Sequence, residues 1–231
     1  MKSDPWDSKN KPYGRSDLDN LDAIAERIRA NLEAKNDARD EVLRRSRALI
    51  RDCSLAIRAA HRGEFAAAAD LLAAARAAAE EMVSGVRAYP DLYYAGYTQD
   101  ALKEFAEASI TYALITDSPL PGPAELGVED AAYLNGLGEA VGELRRYVLD
   151  TIRHDRTERA ERILQAMDDI YGVLVTMDFP DALTSGLRRT TDMVRGVLER
   201  TRGDLTMAMR QERLSAALKE AEVKLNHGQT G

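Results

Sequence analysis

The sequence predicts an all-α protein, and three observations carry that expectation. The 231 residues are 45% apolar but only 6% aromatic, and the segments between prolines are long and rich in Ala, Leu, Arg and Glu, which favour helix over strand. The seven prolines punctuate the chain: Pro5, Pro12, Pro90, then Pro119, Pro121 and Pro123 together, and Pro180. Finally, Ala160, Ile163, Leu164, Met167, Ile170, Tyr171 and Leu174 recur at spacings of three and four, the mark of a helix with one buried face. No repeat or low-complexity block interrupts this pattern. The expected architecture is one domain, a single bundle of six or seven helices.

Taken in order, residues 1–15 are polar and read as a disordered tail, followed by a helical domain over 16–225 and a frayed end over 226–231. Ser16, followed by Asp17 and Asp19, offers an N-cap for a first helix running to His61 and stopped by Gly63. A second helix, Glu64 to about Val83, is nearly an alanine rod, suited to close packing. A third starts after Pro90 and reaches Thr116, where DSPLPGP breaks the chain. A fourth covers Glu129 to Arg153. The fifth is the periodic segment ended by Pro180, and Asp181 to Leu225 forms one long helix, or two divided near Gly203.

Composition excludes several classes of function. The longest uncharged apolar run, Ala108 to Thr116, has nine residues, half of what a membrane span requires. The leader MKSDPWDSKNKPYGRSD lacks a secretory h-region, so a cytoplasmic location is expected. Cys53 is the sole cysteine beside His61, His154 and His227, too few for a disulfide framework or a Cys/His zinc site. Histidine-based catalysis has almost no candidates.

Two charge patterns stand out. Leu43 to Arg62 holds six arginines against one acid, Asp52, in a chain of net charge −7. At about 100° per residue, Arg44, Arg47, Arg51, Arg58 and Arg62 fall within roughly 60° of one another, opposite an apolar face. Such a stripe is either a solvated, locally paired face or a track for phosphates. Arginine outnumbers lysine 25 to 7 over the whole chain, so part of the stripe reflects general composition.

The second pattern is acidic. Glu104 and Glu107 are three residues apart in the third helix, and Glu139 and Glu143 four apart in the fourth, so each helix presents two carboxylates on one face. Gly136, Gly138 and Gly142 further weaken the fourth helix, by up to about 1 kcal/mol each. These costs call for compensation. The uncharged run begins directly after Glu107, which sets that carboxylate at the edge of a buried segment. Four acids brought together by facing helices would form an oxygen-rich site for Mg²⁺ or Mn²⁺. The competing reading pairs Glu107 with Lys103 and Glu143 with Arg146. A ferritin-like di-iron site is excluded because no Glu-x-x-His motif exists.

Three segments together resemble the translin family, and within it the branch of translin-associated factor X and its archaeal relatives. SRALIRDCSLAIRAAHR, Ser46 to Arg62, is similar to the family's first-helix motif, which begins Ser-Arg and ends His-Arg. YTQDALKEFAEASITYALI, Tyr97 to Ile115, resembles the helix with the Glu-x-x-Glu pair, and YLNGLGEAVGELRRYVLD, Tyr133 to Asp150, the Gly-Glu-Leu motif. The resemblance implies a seven-helix fold and a closed homo-oligomer, usually an octamer, that encloses single-stranded RNA or DNA. It implies a Mg²⁺-dependent endoribonuclease in which Glu104, Glu107, Glu139 and Glu143 are metal-binding and catalytic, with Glu139 standing where the family often has aspartate. Translin proper, the non-catalytic alternative, carries a basic, His-containing segment where this chain has YYAGYTQ, Tyr93 to Gln99. Positioning of the phosphodiester backbone would fall to the arginines.

Overall fold

The computed structural model describes residues 20–154 and 156–228, with side chains to residue 224. The expected tail over 1–15 and the cap at Ser16 lie outside the described residues. Six long helices carry the fold: α1 (Leu21–His61), α2 (Phe65–Val86), α4 (Gly96–Thr116), α6 (Asp130–Ile152), α7 (Thr157–Leu174) and α9 (Leu187–Gly228). Three single-turn helices join them: α3 (Pro90–Tyr93), α5 (Pro123–Leu126) and α8 (Asp181–Thr184). The described residues contain no strand.

Helix α1 ends as expected. Gly63 adopts a φ of 75°, its N–H bonds the Ala60 carbonyl at 3.0 Å and the Glu64 N–H bonds that of Ala59 at 3.0 Å. This is the paired closure of a Schellman motif, which glycine enters without steric cost. Three sequence-based boundaries are corrected. The helix expected from Pro90 onward is broken after Tyr93: Pro90 starts one turn, and the extended backbone at Ala95 restarts the chain as α4. The DSPLPGP loop leads into a turn of helix at Pro123, where a proline's missing N–H costs nothing. The helix expected from Asp181 is broken at Ser185 and Gly186, both with positive φ, into the single turn α8 and the 42-residue α9, which passes Gly203 undivided.

Helix α6 is the hub, packing on α4, α7 and α9, while α1 packs on α2 and α4. Two of its glycines explain how. A Cβ on Gly136 would come within 2.8 Å of the Lys103 carbonyl oxygen and 3.0 Å of the Glu107 nitrogen, so glycine here lets the backbones of α4 and α6 approach closely. A Cβ on Gly138 would meet Thr190 Cγ2 at 2.4 Å, which sets α9 against the other side. Gly142 touches nothing and has no such role. The core between these helices includes Leu49, Leu102, Phe105, Ile110, Leu144, Met167 and Leu198.

Both long terminal helices outrun this core. No residue of α1 before Val42 is buried, and Leu21, Ile24, Ile28 and Leu32 leave an apolar stripe exposed; among the described side chains of α9 the last buried residue is Leu205, with Leu214 and Leu218 exposed beyond it.

Candidate metal centre

The carboxylates meet where α4 and α6 approach closest. Oxygens of Glu104, Glu107 and Glu139 lie within 4.8 Å of one another. The close approach permitted by Gly136 therefore has a chemical result: it brings acids from two helices to one point. Glu143, one turn beyond Glu139, stands outside this trio but near enough to act on Glu107 electrostatically.

Each acid has a different environment. Glu107 is only 9% exposed and forms no hydrogen bond or ion pair among the described residues. Burial, reinforced by the charges of Glu104, Glu139 and Glu143, pushes its carboxyl up to about 8. The run beyond it is buried as the sequence implied, with Ala108, Ser109, Ile110, Thr111, Ala113 and Ile115 all inside. Glu139 accepts from Lys103 Nζ at 2.5 Å, and the same ammonium lies 3.4 Å from Glu104. Burial alone would lower the Lys103 ammonium, but Glu139 and Glu104 hold it above its ordinary value. Glu143 hydrogen-bonds His61 Nε2 at 2.6 Å, and that bond holds its carboxyl below the usual range.

The alternative pairings read from sequence are thus corrected. Lys103 is within helical reach of Glu107, yet its stem crosses to α6 instead, and Glu143 is bonded to His61 where Arg146 was weighed as its partner. Sequence reasoning gave His61 no role. Its side chain is 97% buried at the end of α1, with Nδ1 unpartnered. The available signal was its place closing the Ser-Arg to His-Arg segment. Lys103, also missed as a site residue, gave no signal beyond its neighbours.

All five arginines of the stripe are exposed. Arg44 bonds Glu41 and Arg62 bonds Glu64, both at 2.6 Å, Arg51 lies 3.5 Å from Asp52, and Arg47 and Arg58 have no ion-pair partner among the described residues. The stripe points away from the side of α1 turned toward Glu104 and Glu107. Cys53, whose thiol burial and the charges of Glu104, Asp52 and Glu107 push up to about 12, marks the side of α1 that faces them. At about 100° per residue it lies some 150° from the mean direction of the arginines.

A nearly buried carboxylate without a partner, two further carboxylates within reach and only oxygen donors form a set suited to a hard divalent cation. Fold and site together define an all-helical bundle with a carboxylate cluster between two adjacent helices. An uncharacterized protein of Methanocaldococcus jannaschii is 32% identical over 200 residues, covering 84% of this chain and 87% of its own. Among solved structures, AfC3PO in complex with duplex RNA has a TM-score of 0.76 at 35% identity, over 81% of this chain and 97% of that one. NeC3PO, at 22% identity and a TM-score of 0.72 over 82% of this chain and 97% of its own, shares the fold. No protein-family model matches the chain. The chain belongs to the translin/C3PO family. No described helix is long and apolar enough to cross a membrane.

Proposed function

We propose that the chain is a cytoplasmic, Mg²⁺-dependent endoribonuclease, of the translin-associated factor X type, that cleaves single-stranded RNA inside a closed homo-oligomer, an octamer by resemblance. One observation carries the reading. Glu107 is a nearly buried, unpartnered carboxylate set against Glu104 and Glu139, an arrangement that is costly unless a cation compensates. Glu104, Glu107 and Glu139 would hold Mg²⁺, or Mn²⁺, with Glu143 beside them. A divalent ion there supplies Lewis-acid polarisation of a phosphoryl oxygen and a water nucleophile at neutral pH. The chain's own residues orient that chemistry: His61 fixes Glu143, and Lys103 places a positive charge beside Glu139 and Glu104. No histidine base is required.

Assembly is supported by exposed apolar surface. Leu120, Val173, Phe179 and Leu183 open a groove of about 620 Å³ beside α6 and α7, and the outlying stripes of α1 and α9 add to it. The arginine stripe would contact backbone phosphates from its separate face.

A non-catalytic RNA- or single-stranded-DNA-binding protein is the second reading, and Lys103 favours it, because an ammonium already offsets Glu104 and Glu139. Labelled RNA incubated with Mg²⁺, with EDTA and with Glu107→Gln separates the two. Mg²⁺-dependent cleavage lost in the variant supports the nuclease; binding without cleavage supports the module. AfC3PO is described with duplex RNA, so single-stranded and duplex substrates should be run side by side.

A further inference from the structure

A cleft of about 460 Å³ opens between α4, α6 and the first turn of α9. Its walls include Gln99 and Lys103 from α4, Asn135 and Glu139 from α6, and Arg189 and Thr190 from α9. Lys103 and Glu139 belong at once to this cleft and to the carboxylate cluster. Whatever fills the cleft is therefore held beside the candidate metal centre.

The cleft is a built feature. Asn135 is buried, and its amide donates to the carbonyl oxygens of Ala131 and Thr184, both at 2.9 Å, while its oxygen accepts from Thr190 at 2.7 Å. One side chain thereby ties α6 to α8 and to the start of α9. Ser185 and Gly186, with φ of 50° and 83°, reverse the chain between those two helices, and the Gly186 N–H is fixed by Asp181 at 2.8 Å. The turn holds Arg189 at the cleft. Arg189 is exposed and forms no ion pair or side-chain hydrogen bond among the described residues, so its five donors are available.

We propose that this cleft seats a backbone phosphate of the RNA strand, held by the guanidinium of Arg189 and the ammonium of Lys103. The inference rests on the RNA-directed reading above and gives it a path that the sequence did not indicate. The arginine stripe points some 150° away from Cys53, the side of α1 turned toward Glu104 and Glu107, so it is not aimed at a phosphate poised beside that pair. Arg189 and Lys103 do flank that position. A phosphodiester carries one negative charge and two free oxygens, which an arginine fork and a lysine point charge complement together. Asp100 and Glu139 also line the cleft; Glu139 is already offset by Lys103. When Glu104 and Glu139 carry a cation, the Lys103 ammonium is no longer their only counter-charge, and its four-carbon stem lets it turn to the phosphate.

The test is fluorescence anisotropy of the full chain with a 5′-fluorescein-labelled 20-nucleotide oligouridine in EDTA, over a salt series. Arg189→Gln should weaken binding about tenfold or more and reduce the slope of log K against log salt by about one, and Arg189→Lys should recover part of the loss. Arg210→Gln removes the same charge from an exposed position about six turns along α9 and should change affinity by less than about twofold. Arg189 has no structural partner, so circular-dichroism melting should be unchanged in all three. Equal affinities for Arg189→Gln and Arg210→Gln, with wild type binding RNA, would overturn the cleft assignment alone. Failure of wild type to bind either this strand or a duplex would overturn the RNA-directed reading, and the cleft with it.

Discussion

The carboxylates of α4 and α6 and the arginines of α1 are the same kind of pattern in sequence: like charges repeated at helical spacing. In the structure they part company. The arginines project outward, and three of the five are satisfied by acids no more than three residues away. The glutamates are pressed between two helices, and one of them is left nearly buried and without a partner. Periodicity alone does not separate a solvated face from a reactive one. Enclosure by a second element does, and here Gly136 provides it.

The largest expected effect tests the enclosed side of this comparison. Glu107→Gln preserves volume and removes the charge, so Mg²⁺-dependent cleavage should fall by more than the 10–100-fold typical of residues that only orient a ligand. Assembly and RNA binding should persist, and without metal the melting temperature at neutral pH should rise, because the folded chain no longer has to hold a carboxyl protonated above its unfolded range. Unchanged cleavage in a nuclease-free preparation would leave Glu107 a buried acid with no part in the chemistry and the non-catalytic reading standing.

Next comes pH. The Glu107 carboxyl is raised from 4.5 to about 8 in the folded chain, so the folded state keeps a proton that the unfolded state releases. The contribution of Glu107 to metal-free stability is then greatest below pH 4.5 and falls as pH climbs to about 8, by up to about 1.4 kcal/mol per unit. Glu143, depressed by His61, acts with the opposite sign and contributes stability that is lost on acidification. Because ligands must deprotonate, metal affinity should increase up to about pH 8. Calorimetric titration with Mn²⁺ and a pH series of melts, for wild type and Glu107→Gln, would show the dependence in one protein and its flattening in the other.

Glycine substitutions sharpen the role of enclosure. Gly136→Ala forces a methyl group against the α4 backbone and should cost about 1–3 kcal/mol while weakening metal binding. Gly142→Ala, in open space on the same helix, should gain up to about 1 kcal/mol. Denaturant unfolding distinguishes the signs. The smallest effect belongs to the stripe: Arg47→Gln with Arg58→Gln should alter stability by less than about 0.5 kcal/mol, while lowering RNA affinity evenly across sequences and reducing its salt dependence. An unchanged salt slope would assign these arginines to contacts between subunits.

Much of the fold was legible because it rests on local chemistry: the glycine after α1, the periodic face of α7, the buried run beyond Glu107. The break after Tyr93 and the helical turn at Pro123 were less so, since each depends on how a proline-initiated turn packs against its neighbours. Glu104, Glu107 and Glu139 were readable as facing pairs, and their convergence required only that α4 and α6 be adjacent. Lys103, His61 and Arg189 were not. The partners of Lys103 and His61 lie 36 and 82 residues away along the chain, Arg189 meets Lys103 only across a cleft, and no short-range spacing encodes such meetings.

The outlying half of α1 has a consequence of its own. From Leu21 to Glu41 it extends about 30 Å without a fully buried residue, tied down only near its inner end by Lys35, paired with Asp91, and by Ala38 against the core, and a helix of that length alone is only marginally stable in water. In a dissociated chain its amides should exchange with solvent almost freely, opening at a cost near zero, while those around Leu49 and Cys53 wait for global unfolding. Association that covers Leu21, Ile28 and Leu32 would erase the difference. Hydrogen exchange along this one helix is therefore a gauge of quaternary state, with the inner turns of the same helix as its internal standard.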